Sequence, residues 1–141
     1  MARARTRPLL LALGSNLGDR RRNLLRAVAG LRRLPGLKVL RVSSFHETAP
    51  APASCGGLFL NAALACSSSL SPMGLLIELK RIEARLGRRP GRRWGPRPID
   101  IDIISYGRGF RGPWLTIPHP RAQKRPFVKI PIAELQRLAL H

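Results

Sequence analysis

Arg92-Arg93-Trp94-Gly95-Pro96-Arg97-Pro98-Ile99-Asp100-Ile101-Asp102-Ile103-Ile104-Ser105-Tyr106 is the stretch whose reading decides the fold. Its centre, residues 99–104, alternates β-branched residues with Asp100 and Asp102, the pattern of a strand. Side chains two apart on a strand share a face. Asp100 and Asp102 therefore project together, and Ile99, Ile101 and Ile103 turn the other way. Adjacent carboxylates repel unless a cation lies between them. Mg²⁺ is content with one or two carboxylates when phosphates and waters complete its octahedron. Arg92, Arg93 and Arg97 just upstream suit such phosphates. A bare Asp-x-Asp is more often a solvated acidic edge. The isoleucines behind it and the Trp-Gly-Pro-Arg lead-in favour a Mg–nucleotide site.

Working outward, the chain of 141 residues is long enough for one domain with a real core, and 44% hydrophobic residues argue against global disorder. Lys and Arg number 26 against 7 acids, a net charge of +19. That implies an anionic partner: nucleic acid, membrane surface or phosphorylated small molecule. Cys55 and Cys66 have no metal-ligand spacing and fit free thiols in a reducing cytoplasm. Residues 1–7 read as a flexible basic tail. The apolar run after them is too short for a secretory signal, and no stretch could span a bilayer.

Residues 8–13 read as a buried strand. Gly14-Ser15-Asn16-Leu17-Gly18-Asp19 turns into a helix with Asp19 as N-cap and Leu24, Val28 and Leu31 on one face, ended by Pro35-Gly36. The arginines of this helix read as a solvated face. Residues 37–46 form a second strand, and 48–57 a Pro/Gly-rich loop long enough to be functional. Residues 58–69 form a third strand with Phe59 and Asn61 on one face. Asn61 in such an apolar strand needs partners, and a loop backbone and a ligand explain it equally well. Ser71-Pro72 starts a helix with Leu75, Leu79, Ile82 and Leu86 as its stripe and Glu83 beside it. Residues 88–93 are a basic loop, 106–113 a connection with a turn, and 114–120 an extended, proline-stiffened segment. Residues 127–140 form a terminal helix broken near Pro131. The order predicts one α+β domain over 1–141: a ferredoxin-like βαββαβ sandwich, mainly antiparallel, with helices on one side of the sheet.

Gly14-Ser15-Asn16-Leu17-Gly18-Asp19, Ser43-Ser44-Phe45, Thr48-Ala49-Pro50, Phe59-Leu60-Asn61-Ala62-Ala63, Arg93-Trp94-Gly95-Pro96-Arg97 with Asp100-x-Asp102, and Leu115-Thr116-Ile117-Pro118-His119-Pro120-Arg121 stand in the order of one family. The chain resembles the 6-hydroxymethyl-7,8-dihydropterin pyrophosphokinases of folate biosynthesis over nearly its whole length, from about residue 9 to 134. The resemblance implies an ATP-dependent transfer of pyrophosphate to the pterin hydroxymethyl oxygen, with AMP leaving. It implies two Mg²⁺ ions on Asp100 and Asp102 and catalytic roles for Arg88 and Arg97. Thr48, Phe59, Asn61, Trp94 and Phe127 would bind the pterin, Phe59 and Phe127 by stacking. Glu83, Arg93, Arg97, Ile103, Thr116, His119 and Arg125 would line the ATP site. Without the family, Phe59 and Phe127 read as ordinary core aromatics, and His119 alone has little weight as a ligand. Lys80, Pro52 and Trp114 depart from common family residues.

The small-molecule substrates are then ATP and the pterin, and a cytoplasmic monomer with no membrane partner is expected. The alternatives are a small basic nucleic-acid-binding module and an inactive ATP- or pterin-binding paralogue. The charge suits the module. The seven aromatics do not interleave with basic residues as stacking platforms do, so nucleic acid is expected only non-specifically, through charge. Loops 48–57 and 88–93 are expected to close over bound substrates.

Overall fold

The structure, a computed structural model, describes residues 5–49, 57–88, 97–113, 115–119 and 126–139, the last helix by its backbone alone at 126–128 and 137–139. In chain order the elements are β1 (Arg7–Ser15), α1 (Arg20–Arg32), β2 (Leu37–Val42), β3 (His46–Thr48), β4 (Phe59–Ser68), α2 (Pro72–Arg85), β5 (Asp100–Tyr106), β6 (Phe110–Arg111), β7 (Thr116–Ile117) and α3 (Pro126–Ala139).

The main sheet runs β2-β4-β1-β5, with β3 also on β4, and all its pairings are antiparallel. β1 separates β4 from β5, and β4 separates β1 from β2. Each helix crossover thus joins two parallel strands with a third between them, the split arrangement of a ferredoxin-like sandwich. β1 is central and covered on both faces, which is why it reads as a near-continuous apolar run. Leu9, Leu11 and Leu13 meet Leu24, Ala27 and Leu31 of α1 and Leu75, Leu79 and Ile82 of α2. Asp19 caps α1 by accepting the Arg22 N–H at 3.0 Å, and Ser71 caps α2 through the Gly74 N–H at 3.0 Å.

The helices lie on both faces of the sheet, not on one. Ile132 of α3 packs with Leu10, Ala12 and Ile104 on the face opposite α1 and α2. The expectation fails because β1 is apolar on both sides and β5 adds Ile104 to the second face beyond its two aspartates. In β5 a register shift against Leu10/Leu11 inserts Ile104 as an extra residue, and Ile104 joins the α3 side.

α3 also runs unbroken through Pro131. Proline removes one N–H from a helix and crowds the preceding turn. Here it is the sixth helical residue, and its ring is fully buried, which offsets the lost bond. The strand expected over 37–46 stops at Val42 and resumes as β3. Between them Ser43 Oγ accepts the Ala63 N–H at 2.8 Å and donates to the Ser44 carbonyl at 2.8 Å, replacing a ladder bond with a side chain. The expected connection over 106–113 contributes β6, which forms a hairpin with β7. Gly109 turns into it at φ +91, where a Cβ would stand 2.6 Å from the Ile117 carbonyl oxygen. β1 begins at Arg7, whose guanidinium lies 4.8 Å over the Tyr106 ring. No helix among the described residues is long and apolar enough to cross a membrane.

Candidate active site

Register places the chemistry-bearing residues in one row. His46 pairs with Asn61, Asn61 with Gly14, and Gly14 with Asp100. Directly paired residues share a sheet face. The predicted pterin residue Asn61 and the predicted metal residue Asp100 therefore stand on the same face, two strands apart, about 10 Å. It is also the face that carries Ala12, and so the face of α3.

At one end of the row Asn61, 2% exposed, donates through Nδ2 to Thr48 Oγ1 at 2.6 Å and to the His46 carbonyl at 3.4 Å. Phe59 stands opposite Thr48 in register. The floor between them is Gly14. A Cβ there would lie 3.1 Å from Asn61 Oδ1 and 3.3 Å from the Phe59 ring. Gly14 is thus a site residue that its place in a turn-like Gly-Ser-Asn string did not reveal. Asn16 is another. Its Oδ1 accepts the Arg97 N–H at 2.7 Å, and its own N–H donates to the Arg97 carbonyl at 3.0 Å. This clamp fixes the entry to β5, but a pairing across 81 positions leaves no local signal.

At the other end Asp100 Oδ1 accepts from Arg88 Nη1 at 2.7 Å, and Arg97 Nη1 lies 3.5 Å from Oδ2. Burial opposes the Arg88 charge, but Asp100 and Glu83 beside it outweigh burial and hold its pKa above the ordinary value. Asp102 has a different environment. Burial first, then the charges of Asp100 and Glu83, push its carboxyl up to about 7, with Lys80 pulling the other way. The pair is short of positive charge at Asp102, which fits a divalent cation. Among the described residues no three His, Cys, Asp or Glu side chains gather as a protein-only metal cage. A cation here would need phosphate and water ligands, as Mg²⁺ accepts.

Beside Asp102, between α2 and the β6–β7 hairpin, lies a cavity of about 420 Å³ lined by Lys80, Ile103, Thr116 and His119 among others. Three predicted ATP residues, Ile103, Thr116 and His119, converge there. Glu83 is turned elsewhere. It is 2% exposed and accepts the outward Ile101 N–H at 2.8 Å, Arg88 at 2.7 Å and Lys80 at 3.2 Å. It anchors the strand and holds Arg88 in place. Arg93, Trp94, Arg125 and the Phe127 side chain lie outside the described residues, as do most of loops 48–57 and 88–93.

Paired carboxylates with arginines at one end of a row, and an amide, a hydroxyl and an aromatic ring around a glycine at the other, suit transfer of a phosphoryl-type group to a ring-bearing acceptor. Comparison with known proteins agrees. The chain belongs to the 7,8-dihydro-6-hydroxymethylpterin-pyrophosphokinase (HPPK) family, whose model matches residues 10–137. It is 44% identical to the 2-amino-4-hydroxy-6-hydroxymethyldihydropteridine pyrophosphokinase of Methylorubrum extorquens over 89% of this chain and 80% of that one. It is 45% identical over 94% of its length to the mitochondrial folate synthesis bifunctional protein of Pisum sativum, of which it spans only 26%. A crystal structure of Plasmodium falciparum HPPK-DHPS with pteroate matches 95% of this chain and 39% of that one, with a TM-score of 0.69 and 14% identity, a likeness of fold.

Proposed function

We propose that the chain transfers the pyrophosphoryl group of ATP to the hydroxymethyl oxygen of 6-hydroxymethyl-7,8-dihydropterin and releases AMP. Pyrophosphokinase activity in folate biosynthesis follows from its family. The single observation that supports the finer assignment is the row Asn61–Gly14–Asp100, with Asn61 and Asp100 two strands apart on one face.

Thr48 and Asn61 hydrogen-bond the polar edge of the pterin, with Phe59 against the ring. The family resemblance assigns Phe127 and Trp94 to the pterin as well; the Phe127 side chain and Trp94 lie outside the described residues. ATP enters the cavity beside Asp102, its base and sugar against Ile103, Thr116 and His119; the family resemblance adds Arg93 and Arg125, which lie outside the described residues. Asp100 and Asp102 would hold Mg²⁺, two ions when ATP is bound, which would neutralise the charge of the phosphates. Arg88 and Arg97 already lean on Asp100. Each can turn a guanidinium to the transferring phosphates when ATP arrives. No described histidine or carboxylate is assigned as a general base. The chain's contribution is placement and charge. Incubation with Mg-ATP and the reduced pterin, followed for AMP, tests the proposal. AMP release that does not depend on the pterin, or none at all, overturns it.

A further inference from the structure

Glu134 of α3 lies on the sheet face that carries Asn61 and Asp100. One carboxylate oxygen accepts the backbone N–H of Ser44, and the other meets His46 Nε2 at 3.0 Å. The carboxylate is only 16% exposed. Ser44 sits in the break between β2 and β3, where no strand claims its N–H. His46 opens β3, and its carbonyl receives the Asn61 amide, which also holds Thr48. The Ser44 N–H, foremost, and His46 hold the Glu134 pKa below the ordinary carboxylate value. One side chain thus fastens α3 to the short strand that ends in Thr48. Residue 127 stands two turns earlier in the same helix.

We infer that Glu134 is a positioning residue for the pterin slot: through Ser44 and His46 it sets the separation of α3 from the Thr48–Asn61 pair, and so the fit of the pterin but not of ATP. The inference rests on the proposed function. The nucleotide cavity is lined from α2, β5 and the β6–β7 hairpin, and Glu134, Ser44 and His46 are not among its lining residues. A helix pin with a purely structural role would affect both ligands alike. The slot role affects one.

The test is to titrate the reduced pterin and ATP separately against wild type, Glu134→Ala, Glu134→Gln and His46→Ala, and to measure KM for each. Charge-assisted hydrogen bonds of this kind, lost in Glu134→Ala, should raise the pterin KM about tenfold. The ATP KM should stay within about twofold, which also reports a folded protein. Glu134→Gln keeps an acceptor for the Ser44 N–H and should recover most of the loss. His46→Ala should show a smaller rise, again for the pterin alone. An unchanged pterin KM in Glu134→Ala, or equal rises for both ligands in every variant, overturns the inference. Wild type that binds no reduced pterin overturns the proposed function itself.

Discussion

Asp100 and Asp102 are neighbours with different surroundings, and single substitutions should separate them. Without divalent cations, the folded-state pKa of Asp102, about 7, lies above its ordinary value of 3.8. Between those values the native state binds more protons than the unfolded chain. Stability therefore falls as pH rises through that window, and the cost is absent below it and complete above it. Burial sets this first, then Asp100 and Glu83, with Lys80 opposing. Asp102→Asn should abolish turnover while raising Tm above wild type at pH 8 in metal-free buffer, with the gain vanishing near pH 4. A Tm gain of equal size at both pH values would refute the assignment. Asp100 instead holds Arg88 and Arg97, so Asp100→Asn should lose turnover and also about 1 kcal/mol of stability, discounted for its partial exposure. Gly14→Ala places a methyl against Asn61 Oδ1 and the Phe59 ring. It should weaken pterin binding by about 1–3 kcal/mol with little change for ATP, checked by calorimetric titration of each ligand.

At the scale of elements, the gap between β2 and β3 offers the sharpest measurement. Ser43→Ala would leave the Ala63 N–H buried without its acceptor, costing about 1–3 kcal/mol, read as a shift in urea midpoint at constant slope. That gap also marks where sequence reading stops. The Ile99–Ile103 alternation, the Asp19 and Ser71 caps and the stripe Leu75–Leu79–Ile82 are local patterns, and each stands in the fold as expected. Thr48, Asn61, Asp100 and Asp102 could be grouped from motif order. What escaped is non-local. Asn16 clamping Arg97, Gly14 flooring the slot and Glu134 reaching Ser44 all join residues distant in the chain. The unbroken α3 and the helix on the second face escaped for another reason. Proline propensity and one-sided helix stripes are weak guides once both faces of a sheet need cover.

Over the whole molecule, six of the seven acids already meet a donor or cation, and the seventh faces another acid. Asp19 caps α1, Glu47 meets Arg20, Glu78 meets Arg81, Glu83 and Asp100 hold Arg88, Glu134 holds Ser44 and His46, and Asp102 faces Asp100. Against 26 Lys and Arg residues, self-repulsion must remain. Added salt shortens the Debye length to about 8 Å at 0.15 M, so Tm should climb between low and physiological ionic strength, and phosphate should raise it further than chloride. A flat Tm across that range would contradict the charge argument. The same economy of carboxylates bears on solubility. β5 is the margin of the sheet, and a bare margin is a template on which a second molecule can add a strand. Glu83 takes the outward N–H of Ile101 and puts a buried charge where an incoming strand would need a carbonyl. That charge stands against the pairing of a second strand along this edge, and Glu83→Ala should remove the obstacle, seen as turbidity that grows with protein concentration.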